Sequence, residues 1–277
     1  DADIFYQVPN GGAGATKLLA LFSDIIPLSA GGSRSARAPF VDVAREWRGG
    51  FAFAGYPTFE GENRASVVDR LLDGGMHNNK TAFNLLGNND YAQRIKGYEP
   101  PHNLSVNLQK VQELLMKSGA EITPRPFQFT DRKPEGYEAA RRITLRHYGE
   151  EYRLGRDNEA SWSAFTYDPD RKAYLRENTA GSYVDRDAQD SPLPFANVIV
   201  QRVRFTYSGP YLLLEYLTGT GAAEIFTGGA YIPGGWYRRD LDSRTVFVDD
   251  QGQEVQLQRG KTFIILTNAV TTVEYSD

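Results

Sequence analysis

Cysteine is absent from the 277 residues, which removes disulfides, thiolate nucleophiles and cysteine-ligated zinc together. The absence suits an exported protein as well as a cytosolic one, so it fixes no compartment. Histidine is scarce: His77, His102 and His147 are the whole supply, and any histidine chemistry must use one of them. Their spacing gives no HExxH or HxH, so no metal is expected, and no cofactor motif is present. No apolar run reaches the roughly 18 residues of a membrane-spanning helix. There is no G-x-S-x-G of a serine hydrolase either. A basic surplus is also missing: 31 Lys and Arg stand against 35 Asp and Glu, which argues against nucleic acid as a partner. The chain opens at DADIFYQV with no leader peptide, and this abrupt start reads as that of a mature or trimmed protein.

What is present is ordinary for a soluble globular chain, with 40% hydrophobic and 24% charged residues. The length suits one large domain or two closely packed ones. The first half mixes element types. ADIFYQV and ATKLLALFSDII read as strands, and GGFAFAGY as a buried strand. From Pro39 the period becomes helical, with Phe40, Val43, Ala44 and Trp47 on one face, Ser35 as N-cap and Pro39 in the first turn. NRASVVDRLLDGG reads as a short helix capped by Asn63, with Val67, Val68, Leu71 and Leu72 inward and Gly74 ending it. NLQKVQELLMKSG is an amphipathic helix presenting Leu108, Val111, Leu114 and Leu115, stopped by Gly119.

Beyond this point the chain turns to β. In RRITLRHY, residues Ile143, Leu145 and His147 share one face. SAFTYDPDRKAYLRE is a hairpin pattern turning on Asp168-Pro169-Asp170. The strands that follow, from ANVIVQRVRFTY to KTFIILT, read as an antiparallel meander. The period breaks over PRPFQFTDRKPEG, which divides the chain into residues 1–125, a mixed α/β half, and residues 126–277, a mostly antiparallel β half.

Candidate chemistry begins with exclusions. NGGAGATK lacks the Gly-Lys-Ser/Thr order of a phosphate loop, because Ala15-Thr16-Lys17 stands there, and it reads as a glycine-rich turn. The acidic pair of YDPDRK has turn spacing, not that of a calcium loop. Trp162, Trp236 and the 16 tyrosines could line a sugar groove or fill the core. GGSRSARAPFVDVAREW is more informative. It places Arg34 and Arg37 on the run-in to a helix, where the dipole disfavours cations. Two guanidinium forks beside free helix N–H groups suit a carboxylate, phosphate or sulfate. The alternative is internal pairing with Asp42, Glu46 or Asp24. In EPPHNL, two prolines stiffen the backbone that presents His102 and Asn103. These two suit an acid/base and an oxyanion donor, or they satisfy backbone groups at a loop-to-helix junction.

With these motifs in view, the chain resembles the YerB-like lipoproteins of Gram-positive bacteria, a two-part family of unknown function. ADIFYQV…TKLLALFSD is similar to the family's ADIVYE…TRFLALF segment, GGSRSAR to its G-x-x-RSAR helix entry, and PPHNL to its APHNL signature. YDPDRKAYLR, NVIVQRV, the TGTG turn and RGKTFIIL resemble its hairpin and later strands. The resemblance implies an α+β fold, a layered β-rich body with helices packed on one side. It also implies an extracytoplasmic protein held to the membrane only through a lipidated cysteine upstream, with a first strand before Asp1. No activity comes with the family. The chain departs from the family pattern where histidines often stand, with Phe53 and Tyr183 instead, and it carries Gly12 and Lys17 in place of an acidic residue and an arginine. Arg34, Ser35, Arg37, His102 and Asn103 match it and form the candidate site. The expected function is binding of an anionic small ligand, a cell-wall polymer or a protein partner. Hydrolysis or elimination on envelope glycan or phosphodiester through His102 is the alternative, and whether the chain is an enzyme stays open at this level.

Overall fold

A computed structural model describes residues 1–9, 16–76, 80–147, 161–178, 181–185, 189–215 and 217–277. The glycine-rich segment through Gly12, and His77, lie outside the described residues. The architecture is α+β, with strands predominating and three helices among the described residues. Two compact units are present. The first comprises Asp1, Phe22–Arg125 and Asp240–Arg244; the second comprises Ala2–Leu21, Pro126–Arg239 and Thr245–Asp277.

All three helices belong to the first unit. Helix α1 spans Ala38–Trp47, α2 Val67–Asp73 and α3 Leu108–Lys117. Helix α3 follows its sequence pattern. The Asn107 side chain accepts from the Lys110 N–H, and Val111 and Leu115 are buried against Phe83, Leu85, Tyr91, Leu104 and Val106, with Leu108 and Leu114 at the margin. In α2 the cap is Ser66, whose side chain accepts from the Asp69 N–H, and Asn63 caps only the preceding turn through Ala65. Starting later narrows its inward stripe to Val67 and Leu71, while Val68 and Leu72 face solvent. In α1 the buried set is Ala38 to Val43 and Glu46, whereas Ala44 and Trp47 are half-buried. Its apolar stripe therefore lies one position earlier than the period suggests. Asp42 is buried within it because the Arg70 Nη1 donates to both carboxylate oxygens at 2.6 and 2.7 Å.

Three strands of this unit form a small sheet, with Leu104–Asn107 in the middle. Ser29–Ala30 pairs antiparallel on one side, with Ala30 opposite Val106. Ala92–Arg94 pairs antiparallel on the other, with Arg94 opposite Leu104. Phe51–Phe53 and Ala82–Asn84 form a separate parallel pair.

The second unit is a sandwich of two sheets. One carries Thr16–Leu21, Ile4–Pro9, Thr262–Thr267, Asn197–Arg202, Gly219–Thr227, Ala230–Arg238 and Val246–Asp249 in that order. The other contains Arg142–His147, Ser161–Asp168 and Ala173–Asn178, with Thr272–Ser276 at its edge. The expected antiparallel meander is corrected at one strand. Thr262–Thr267 runs between Ile4–Pro9 and Asn197–Arg202 and is parallel to both. Strands buried on both faces read as continuous apolar runs, which FIILT and VIV are, and such runs carry no orientation signal. Ile143, Leu145, Phe165 and Tyr174 of one sheet meet Val198, Val200, Phe226, Phe263 and Ile265 of the other. The Asp168 hairpin forms as its turn chemistry dictates, the Oδ1 accepting from the N–H groups of Asp170 and Arg171. Trp236 is core: its indole N–H donates to Arg202 O at 2.9 Å, and its ring lies where a side chain at Gly221 would stand.

Asn197 ties the centre of the larger sheet to its neighbours. Its amide nitrogen donates to Gln258 O at 2.9 Å and Thr262 Oγ1 at 3.1 Å, and its oxygen accepts from Thr227 Oγ1 at 2.6 Å and Gln258 N at 2.9 Å. Asn197→Ala leaves buried partners unmatched and should cost roughly 3 kcal/mol, read as a lower urea midpoint at unchanged slope.

His147 lies inside the sandwich, with Nδ1 3.4 Å from Thr271 Oγ1 and Nε2 3.4 Å from Ser163 Oγ. Burial, and then the charges of Arg176 and Arg202, push its pKa down to about 3. Above the ordinary pKa near 6.5 the ring is neutral whether the chain is folded or not. Below it only the unfolded chain takes up the proton, so stability falls by about 1.4 kcal/mol per pH unit toward the folded value. His147→Gln should remove this contribution, and urea midpoints at pH 7 and pH 5 should then lie closer together than in the wild type. An unchanged difference would show that His147 does not supply the slope.

Candidate functional site

The candidate site is built on the N-terminal end of the Leu104–Asn107 strand. The chain before it turns through the cis Pro100–Pro101 bond, and the His102 N–H donates to Glu99 O at 2.9 Å. Backbone pairing then continues past the strand on both sides. On one side the Ile95 N–H donates to Asn103 O at 2.7 Å. On the other the Ser33 N–H donates to Leu104 O at 2.8 Å. The extended segment containing Arg34 is held from its far side too. Arg34 O accepts from the Ala54 N–H at 3.0 Å, and Gly55 O accepts from the Ala36 N–H at 2.8 Å. Arg34 and Arg94 are thus brought by the backbone to opposite flanks of His102–Asn103.

Their side chains complete the arrangement. The Arg34 Nη1 stands 3.1 Å from His102 Nδ1 and 3.2 Å from Nε2, and this near-equal spacing places it over the face of the imidazole. Both side chains are exposed. Asn103 is 8% exposed, and its Oδ1 accepts from the Arg94 Nη1 at 2.6 Å. Because arginine only donates, this contact fixes the amide orientation and turns the Nδ2 donor away from Arg94. Neither Arg34 nor Arg94 meets a carboxylate among the described residues. Of the acids expected as internal partners, Asp42 holds Arg70, and Asp24 Oδ1 accepts from the Ile25 N–H.

The helix entry differs from its sequence reading. Ser35 is half-buried and does not cap α1; the N-cap position is Arg37, which makes no side-chain cap hydrogen bond. The Arg37 Nη1 donates back to Ala36 O at 2.8 Å. Neither Ser35 nor Arg37 hydrogen-bonds His102 or Asn103. The free helix N–H groups expected for an anion are reduced as well. Pro39 has none, and the Phe40 and Val41 N–H groups already donate to Arg37 O at 3.0 and 3.4 Å. Helix α1 is anchored from its other end by Arg45, which grips Asp242 at 3.1 and 2.9 Å. The Arg45 hydrogen bond holds the Asp242 carboxyl below its usual pKa against the opposing effect of burial. Of the five residues singled out from sequence, the structure gathers Arg34, His102 and Asn103, and it adds Arg94. Phe53, where a histidine was the family expectation, is a core residue packed on Phe51 and Tyr56.

This arrangement sets the Arg34 guanidinium against the exposed His102 imidazole and the Arg94 guanidinium on the amide oxygen of the adjacent Asn103. Such groups hold oxyanions through charge-assisted hydrogen bonds.

Comparison with known proteins places the chain. Residues 1–121 match the family model described as the N-terminal domain of a protein of unknown function, DUF3048, and residues 152–264 match its C-terminal domain. No curated protein matches significantly. The crystal structure of the YerB protein from Bacillus subtilis is similar with a TM-score of 0.77 at 20% identity, covering 99% of this chain and 86% of that one. At that identity the likeness speaks to the fold alone. The chain belongs to the DUF3048 family of proteins of unknown function and shares its fold with YerB.

Proposed function

We propose that the chain is an extracytoplasmic binding protein that captures an anionic group of a cell-envelope ligand through Arg34, Arg94, His102 and Asn103. The observation that carries this reading is the convergence of two exposed arginines, neither facing a carboxylate among the described residues, on adjacent polar side chains. A phosphate, sulfate or carboxylate accepts from guanidinium and amide donors at once, and it needs no donor of its own. Ser35 and Arg37 act from behind, shaping the segment that delivers Arg34. Phosphate- or carboxylate-bearing wall polymers supply such groups in repeating form, and many weak contacts along one polymer add up through effective concentration. The location, and an upstream lipid anchor, rest on the family resemblance.

The second reading, a hydrolase or lyase with His102 as acid/base, is favoured by the exposure of the His102 ring beside a guanidinium. The two are separable. Calorimetric titration with inorganic phosphate, sulfate and a phosphate-bearing wall polymer should show saturable binding by the wild type. Arg34→Ala or Arg94→Ala should each weaken it by roughly 1.5 kcal/mol, about tenfold, with the fold unchanged by circular dichroism. Equal affinity in both variants would refute the site. Release of product from the polymer that stops in His102→Ala would favour catalysis.

A further inference from the structure

Arg176, on the Ala173–Asn178 strand of the second unit, is a buried cation with incomplete hydrogen bonding. Its residue is 4% exposed. The Nη2 donates to Gln7 Oε1 at 2.6 Å, while Nε and Nη1 have no acceptor. Three aromatic rings lie around it: Tyr183 at 4.0 Å from the guanidinium carbon to the ring centroid, Phe263 at 4.9 Å and Phe165 at 5.7 Å. Ring faces offset part of the cost of burying the charge, but they do not accept the in-plane N–H groups.

The Tyr183 side chain is the polar neighbour that favours the Arg176 charge, and no carboxylate pairs with Arg176 among the described residues. The Glu224 carboxylate is taken by Arg202, with contacts of 2.6, 3.0 and 3.2 Å. His147 is kept neutral by burial and, to a lesser degree, by the charges of Arg176 and Arg202. An uncompensated buried charge and orphaned donors are each strongly unfavourable, and a native fold that retains them calls for a specific cause, such as a bound ion or ligand.

We propose that Arg176 anchors a second anion site, inside the second unit and separate from the Arg34 site, whose ligand is a small organic carboxylate. Rings covering the guanidinium leave its plane as the direction of approach, which suits flat sp² oxygens over a tetrahedral phosphate. A low-dielectric setting favours one negative charge over two. The phenyl groups of Phe165 and Phe263 suit an apolar remainder behind the carboxylate head.

The test uses the whole chain and sodium formate, with sodium chloride and sodium phosphate at matched ionic strength. The Arg176 Nε–H nuclear resonance, assigned through side-chain correlations, should move downfield and saturate with formate, and the thermal midpoint should rise. Chloride should produce neither effect, and phosphate should leave the Arg176 resonance still, with any rise in midpoint through the Arg34 site absent in Arg34→Ala. Arg34→Ala should retain both formate effects, and in that background Arg176→Gln should lose the rise in midpoint. The proposal is overturned by a resonance that stays still until the exposed Arg142 and Arg171 signals also move, by an equal response to chloride, or by an equal rise with Arg176→Gln in the Arg34→Ala background. Should Arg176→Gln not fold, the wild-type resonance alone decides, since it requires no variant.

Discussion

Backbone pairing at the head of the Leu104–Asn107 strand is the constraint on which the candidate site depends. A three-stranded sheet extends its hydrogen bonding one step beyond its formal ends, to Ile95 on one side and Ser33 on the other. That step sets the positions of Arg34 and Arg94 before any side chain contributes. The side-chain contacts then select orientation: Arg94 turns the Asn103 amide, and Arg34 lies against the imidazole ring. The order of causes matters for variants. A change to Ser33, Ala36 or Gly55 would move Arg34 through the backbone, whereas a change to Arg94 would leave the frame intact and free the amide to rotate.

The second unit solves a different problem with related chemistry. Its sandwich is apolar through the middle, where Phe165, Phe195, Phe226 and Phe263 pack, and polar toward His147, Ser163, Thr267 and Thr271. Hydroxyl groups there satisfy a neutral imidazole, and Glu224 satisfies Arg202. Arg176 is the member of this layer whose donors are left over. Buried polar layers of this kind tie strand register to hydrogen-bond matching, because a slip of one residue reverses every side chain between the faces of the sheet.

Much of this was legible from residue order, and the failures have identifiable causes. Helix α3 and the Asp168 hairpin have strong local signals, a side-chain cap in one and an Asx turn in the other, and both form as read. The α2 stripe was read too widely because two polar cap candidates, Asn63 and Ser66, stand three residues apart, and the later one starts the helix. The parallel placement of Thr262–Thr267 depends on pairing between residues far apart in sequence, which no local pattern encodes. Arg94 was missed for a similar reason. In YAQRIKGYE it is one more exposed cation on a short strand, and only its register opposite Leu104 gives it a role. Arg34, His102 and Asn103 were legible as residue types, whereas the contact joining Arg34 to His102 spans 68 positions.

The central claim is that Arg34, Arg94, His102 and Asn103 act together on one anion. The most direct measurement follows the His102 ring and Asn103 side-chain amide resonances during titration with inorganic phosphate at fixed ionic strength. The account predicts that both move together, saturate at one dissociation constant, and outrun the shifts of exposed residues such as Lys117 and Arg259. Shifts that are uniform over the surface, or that appear at only one of the two residues, would contradict it.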